Sequence, residues 1–211
     1  MNGYLNEIRK RHITRLCHFT KSSNLPFILG DGRFERNGIL STAQIRQSSY
    51  LEELDKKRLD GHLDYVCCSV QHPNDRYFKS RQWQERSDLF NQWAVLYIDP
   101  SVIGDTSLFS PVNAATARGA NIHGGLSAFQ ALFASPVHYL RRGHDNIEER
   151  DPSLPNNYPT DPQAEVMIKD KIPVEQIIGV AFPARTFEVE KQRLEFCLDD
   201  ININIEKLED N

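Results

Sequence analysis

Among the acidic residues of this chain, Glu165 has a distinctive setting. It lies in TDPQAEVMIKD (160–170), between an alanine and a valine, where a long polar stretch gives way to a short apolar run. A carboxylate that follows a loop and opens a strand is expected at the rim of a cleft. Strand alternation then groups Glu165, Met167 and Lys169 on one face and Ala164, Val166 and Ile168 on the other. An acid so placed can stabilise developing positive charge or accept a proton; the plain alternative is an exposed strand residue. His18, central in LCHFT, offers one ring nitrogen as donor and the other as acceptor, which suits a sugar hydroxyl or a carbonyl. Its plain alternative is a hydrogen-bonded, partly buried strand histidine. The sequence has no HxxxH, HExxH or Cys/His ligand spacing, so no metal is expected. GxGxxG, GxxxxGK[ST] and GxSxG are missing as well.

These groups must be positioned by a folded domain of ordinary composition. With 211 residues, 39% hydrophobic and 26% charged, one sizeable core is expected in a single domain over 1–211, ending in an acidic tail at about 205–211. MNGYLNEIRKRH is too polar for a secretory leader, and no apolar run approaches the roughly 20 residues of a membrane span. A cytoplasmic protein without a membrane partner is therefore expected. Cys17, Cys67, Cys68 and Cys197 form no CxxC pair and read as buried thiols, with Cys67 and Cys68 on opposite faces of a strand. Net charge is −4, unlike a strongly basic nucleic-acid binder. Positive charge is local, at Arg9, Lys10, Arg11 and Arg15, at Arg76, Lys79, Arg81 and Arg86, and at Arg141 and Arg142. Each cluster alone reads as a solvated face.

The pattern along the chain is mixed. Residues 5–12 suit one or two helical turns, and LCHFT (16–20) a strand. Ser22, Ser23 and Asn24 offer cap side chains to a short helix with Pro26 in its first turn, Leu25, Ile28 and Leu29 on one face, and Gly30 and Gly32 at its end. The stretch 48–64 is highly charged, a helix or a mobile surface loop. YVCCSV (65–70) and WAVLYID (93–99) are strands by their β-branched and aromatic content. Residues 109–125 read as a loop leading into a helix, LSAFQALFAS, and 141–162 as a long loop with four prolines. AEVMIKD, IIGVAF and LEFCLDDINI read as further strands. The fold class is α+β, with a mostly antiparallel sheet, helices grouped near the N-terminal half and long loops between central strands.

Taken together, HFTxxxNLxxIL from His18, GIL from Gly38, DYVCCSV from Asp64, PNxxYF from Pro73 and DPQAEV from Asp161 resemble the DarT family of DNA ADP-ribosyltransferase toxins. The likeness runs from the first strand to the strand of Glu165. It implies a split β-sheet whose cleft binds NAD, and transfer of ADP-ribose to a base of single-stranded DNA, thymine in some members and guanine in others. By the same resemblance, Glu165 is the catalytic glutamate and Arg58 the catalytic arginine, with Arg46 as its competitor. His18 and Thr20 would hold the nicotinamide-side ribose and carboxamide, Asn24 would lie nearby, and Tyr77 or Phe78 would stack on the nicotinamide. Lys79, Arg81 and Trp83 put cations and an aromatic in one segment, a composition suited to a single strand. Arg118 and His123 in NAATARGANIHGG, with Asn113, would touch DNA or NAD, or cap the helix that follows. A cognate antitoxin is implied too. The competing readings are an ADP-ribosyltransferase acting on protein or RNA, and a silent NAD- or nucleic-acid-binding module.

Overall fold

The computed structural model describes residues 3–30, 36–46, 58–74, 92–198 and 203–208. The first helix, α1 (Gly3–Arg11), turns Tyr4 and Ile8 inward and pairs buried Glu7 with Arg11 at 2.7 Å. Strand β1 (Leu16–Lys21) follows, then a single 3-10 turn and the short helix α2 (Leu25–Leu29), which Gly30 ends at φ 83°. Next come β2 (Ile39–Leu40), α3 (Thr42–Ile45), β3 (Tyr65–Val70) and β4 (Trp93–Ile98). The second half of the chain holds β5 (Leu108–Ser110), β6 (His123–Gly124), α4 (Leu126–Ala131), β7 (Val137–Arg141), β8 (His144–Glu148), β9 (Glu165–Lys169) and β10 (Lys171–Ile172). The chain closes with β11 (Ile177–Pro183), α5 (Phe187–Cys197) and β12 (Asn204–Leu208).

Eight strands form one sheet in the order β12-β11-β4-β1-β3-β9-β5-β6. Every neighbouring pair is antiparallel except β11 with β12. At the centre the sheet forks. β1 pairs with β4 along its whole length, from Leu16↔Ile98 to Lys21↔Trp93, but with β3 only through Leu16↔Val70 and Cys17↔Ser69. Beyond that point β3 stays with β9 while β1 stays with β4, and a cleft opens between the two halves.

The main core covers one face of both halves. Leu96, Ile98, Val180 and Phe182 on one side of the fork join Val66, Val166, Ile168 and Phe109 on the other, and α1, α2, α4 and α5 close over them through Ile8, Leu25, Phe129 and Leu194. Each such side chain, fully buried, contributes roughly 1.5–3 kcal/mol. Gly38 is required where β2 meets β10: it has φ +70°, and a Cβ there would lie 2.1 Å from the Ile172 carbonyl oxygen.

The strands expected at 16–20, 65–70 and 93–99 are present, as are those of AEVMIKD and IIGVAF. Three expectations differ. LEFC belongs to α5, because Phe187, Glu190, Leu194 and Cys197 recur at helical spacing and turn inward within a run of good helix formers. The expected loop at 141–162 begins as a hairpin: VHYLR pairs with HDNIE around Arg142-Gly143, whose positive φ values of 53° and 79° suit a two-residue turn. Helices also occur in both halves of the chain rather than near its N-terminal half. Among the described residues, no helix is long and apolar enough to cross a membrane.

Candidate active site

The fork positions His18 one residue past the last ladder pair between β1 and β3. Its Nδ1 donates to the Cys67 carbonyl oxygen at 2.9 Å, so the side chain replaces the backbone bond that the diverging strands no longer make. A carbonyl can only accept, so the ring proton is on Nδ1 and Nε2 keeps its lone pair. Burial pushes the His18 pKa below its ordinary value, and the Arg58 charge lowers it further against the opposing effect of the carbonyl bond. His18 is therefore a neutral acceptor. Two residues on, the buried Thr20 hydroxyl accepts from Asn24 Nδ2 at 3.1 Å. Asn24 precedes α2, yet its side chain makes no cap bond and faces Thr20 instead.

Glu165 opens β9, in register with Ser69 on β3 and Ser110 on β5. Its Oε1 accepts from Asn113 Nδ2 at 2.9 Å and from the Ala114 backbone N–H at 3.1 Å. Burial raises the Glu165 pKa above the usual glutamate value, opposed by the Ala114 bond, by the neighbouring Cys67 thiol and by the Arg58 charge. The polar loop before it is tied down. Arg150 Nη1 donates to the Tyr158 carbonyl at 2.9 Å and Nη2 to the Pro155 carbonyl at 2.7 Å. Thr160 is bonded through its N–H to Leu132 O at 2.9 Å and through its hydroxyl to Ala134 O at 2.7 Å.

Arg58 lies beside this group with its guanidinium saturated. Nε and Nη2 hold Asp60, the closest contact being 2.6 Å, while Nη1 donates to Thr42 Oγ1 and the Tyr65 carbonyl, each at 3.1 Å, and Nη2 to the His62 carbonyl at 2.7 Å. All five N–H donors have protein acceptors. Burial lowers its pKa, but the bond to Asp60 and the nearby negative charges outweigh it and hold the pKa above the ordinary arginine value, so the charge is permanent. The loop is held from behind at Gly119, where φ is +86° and a Cβ would stand 2.4 Å from the Asp60 carbonyl oxygen.

His18, Thr20, Asn24, Arg58 and Glu165 thus line one cleft, together with Asp60, Cys67, Ser69, Asn74 and Asn113. Of the two arginines considered, Arg58 borders the cleft and Arg46 is exposed at the end of α3. Arg118, at φ 57°, and His123, on β6, are exposed on the continuation of the loop that holds Glu165. Tyr77, Phe78, Lys79, Arg81 and Trp83 lie outside the described residues. Sequence reasoning missed Asp60 and Cys67, although Asp60 is only two residues from Arg58 in a charged run. Among the described residues no group of three His, Cys, Asp or Glu could hold a metal.

A family model described as "ssDNA thymidine ADP-ribosyltransferase, DarT" matches residues 17–194. The chain belongs to the DarT family. Solved structures share its fold: Thermus sp. 2.9 DarT in complex with ADP-ribosylated ssDNA superposes with a TM-score of 0.59 at 14% identity, over 93% of this chain and 95% of that one. Thermus sp. 2.9 DarT in complex with NAD+ gives 0.56 at 17% identity, over 92% and 95%. Thermosipho africanus DarTG in complex with ADP-ribose gives 0.58 at 13% identity over 92% of this chain, which spans 50% of that longer one. Among curated protein sequences none matches. The DarT fold accounts for the forked sheet, and at these identities the superpositions speak for the fold alone.

Proposed function

We propose that this chain is an NAD-dependent mono-ADP-ribosyltransferase whose acceptor is thymine in single-stranded DNA. The observation that carries the reading is a half-buried glutamate, held from one side by Asn113 and Ala114, in the same cleft as a neutral His18 at the fork of a DarT-family sheet. Related DarT structures hold NAD+ and ADP-ribosylated ssDNA, and the family is one of ssDNA thymidine ADP-ribosyltransferases.

In this reading His18 Nε2 and the Thr20 hydroxyl hold the nicotinamide-side ribose and carboxamide. The bond between ribose C1′ and the nicotinamide nitrogen breaks, and nicotinamide leaves as a neutral molecule with the bonding pair. Positive charge develops on the ribose, and the Glu165 carboxylate stabilises it where it appears. In thymidine N3 carries the only ring N–H, so forming the N3–C1′ bond requires that proton to go to a base. A glutamate with a raised pKa suits that task. Arg58, bonded throughout to the protein, contributes a fixed positive field rather than a bond to substrate. A single strand presents its bases without the cost of unstacking a duplex.

The family resemblance extends the reading to a cytoplasmic toxin held in check by an antitoxin that removes the modification or blocks the cleft. Expression should then harm a host, and Glu165→Ala should abolish the harm. The direct test is incubation with NAD and oligonucleotides that each lack one base type, read by mass. An added ADP-ribose that vanishes only when thymine is omitted supports the proposal. Nicotinamide release without a DNA adduct would point to protein or RNA, and NAD binding without release to a silent module.

A further inference from the structure

The segment from Asn113 to Ile122 grips Glu165 at one end and the β7–β8 hairpin at the other. Between its ends it is a run of closed turns. The Thr116 N–H donates to the Asn113 carbonyl at 2.9 Å, Arg118 to Ala115 at 3.1 Å, Ala120 to Ala117 at 3.3 Å and Ile122 to Gly119 at 3.0 Å. Asn113 Oδ1 closes the first of these turns by accepting from the Ala115 N–H at 3.1 Å, which leaves Nδ2 for Glu165. The close approach of Gly119 to the Asp60 carbonyl seats the middle of the segment. At the far end Asn121 is 5% exposed. In an antiparallel pair alternate residues turn their N–H and C=O away from the partner strand, and at Leu140 of β7 both of these groups go to one carboxamide. Asn121 Oδ1 accepts from the Leu140 N–H at 2.7 Å, and Nδ2 donates to the Leu140 carbonyl at 2.9 Å. The second Nδ2 proton reaches back to the Thr116 carbonyl at a longer 3.5 Å. Hydrogen bonds therefore run unbroken from Leu140 through Asn121, Thr116 and Asn113 to the Glu165 carboxylate.

We propose that Asn121 is a positioning residue: by standing in for a third strand of the hairpin it fixes the 113–122 segment, so that Asn113 and Ala114 present their donors to Glu165 in one geometry. The acid thus takes its orientation from the hairpin, through a side chain that never meets substrate. The proposal rests on Glu165 being the acid of the reaction.

The test compares wild type, Asn121→Ala, Asn113→Ala and the double variant in the transfer of ADP-ribose to a thymine-containing oligonucleotide across pH. Weakened hydrogen bonds to a charged group should lower kcat by about tenfold in Asn121→Ala. KM for NAD should change little, since His18 and Thr20 stand on β1 across the fork. The acid limb should move to higher pH, because donors held less firmly lower the carboxylate pKa less. If Asn121 acts through Asn113, the double variant should fall little below Asn113→Ala alone, whereas independent sites would multiply their losses. Multiplied losses, or an unmoved acid limb in Asn121→Ala, would overturn the proposal. A second readout needs no turnover: amide exchange in the protein without NAD. The Ala114 N–H should exchange faster in Asn121→Ala, and the Leu140 N–H faster in Asn113→Ala, so that each end reports on the other and either variant suffices. Unchanged rates at both amides would also overturn it. If wild type neither transfers nor cleaves, the functional reading fails while the exchange comparison still decides whether the two ends are coupled.

Discussion

Glu165 is under two opposed influences. Burial favours its neutral form, while the bond from Ala114 N–H, the neighbouring Cys67 thiol and the nearby Arg58 favour the carboxylate. The net result is a pKa raised in the folded state, which fixes two signs. Activity that needs the carboxylate should fall on the acid side at a pH above the ordinary glutamate range, visible as a displaced acid limb in kcat/KM. The folded protein also holds this proton more tightly than the unfolded chain does. Glu165 is therefore neutral in effect below the ordinary glutamate pKa and increasingly unfavourable as pH rises through its folded value. Glu165→Gln should accordingly lower kcat by about 10²–10³-fold and raise Tm at neutral pH, the gain vanishing in acid; each kcal/mol corresponds to about 2–4 °C in a chain of this size. A Tm below that of wild type at neutral pH would contradict this account. Asp60 should behave in the opposite way. Its pair with Arg58 is buried, at 4% and 11% side-chain exposure, so Asp60→Ala should cost about 3–5 kcal/mol in denaturant unfolding by stranding the guanidinium. The sequence made Glu165 and His18 legible because one opens an apolar strand after a polar stretch and the other interrupts one. Asp60 was not, since its importance comes from contacts with Arg58 that no local pattern encodes.

At the level of elements, the loop before β9 is organised by one side chain. Arg150 donates to the carbonyls of Leu154, Pro155 and Tyr158 and to Thr160 Oγ1, all in the segment that delivers Glu165. Arg150→Ala should loosen that segment, seen as faster limited proteolysis between 150 and 160, and should reduce transfer to DNA more than NAD cleavage. Equal cleavage patterns would refute the role. Long strands were legible because dense apolar and β-branched runs have few other interpretations, six of six residues in β4 and five of six in β3. The strands β2, β5, β6 and β10, at two or three residues, are too short to carry a period and exist through their partners. In α5 the fragment LEFC looked like a strand alone, and only the wider spacing from Phe187 shows the helix.

For the molecule as a whole, the charge of −4 gives no long-range attraction for a polyanion. Affinity for an oligonucleotide should then come from a few local contacts, and the slope of log Kd against log salt should correspond to only a few phosphates. A steep slope of the kind given by strongly basic proteins would count against this. The split sheet was expected from the family resemblance rather than from composition. Its physical basis is the early end of the β1–β3 ladder, and no residue pattern marks where pairing stops.

That ladder has a mechanical meaning. Two residue pairs join halves that are otherwise fully laced, so the fork resembles the tip of a crack, where strain on the sheet concentrates. The His18 bond to Cys67 and the Ser69 hydroxyl bond to Cys17 O at 3.4 Å act as stitches just at that tip. A dinucleotide bridging His18 on one lip and Glu165 on the other would act as a rivet. Amide exchange at Cys17 and Ser69 should therefore slow on adding NAD more than exchange in the middle of β4, and a uniform slowing across the sheet would show that the tip bears no special load.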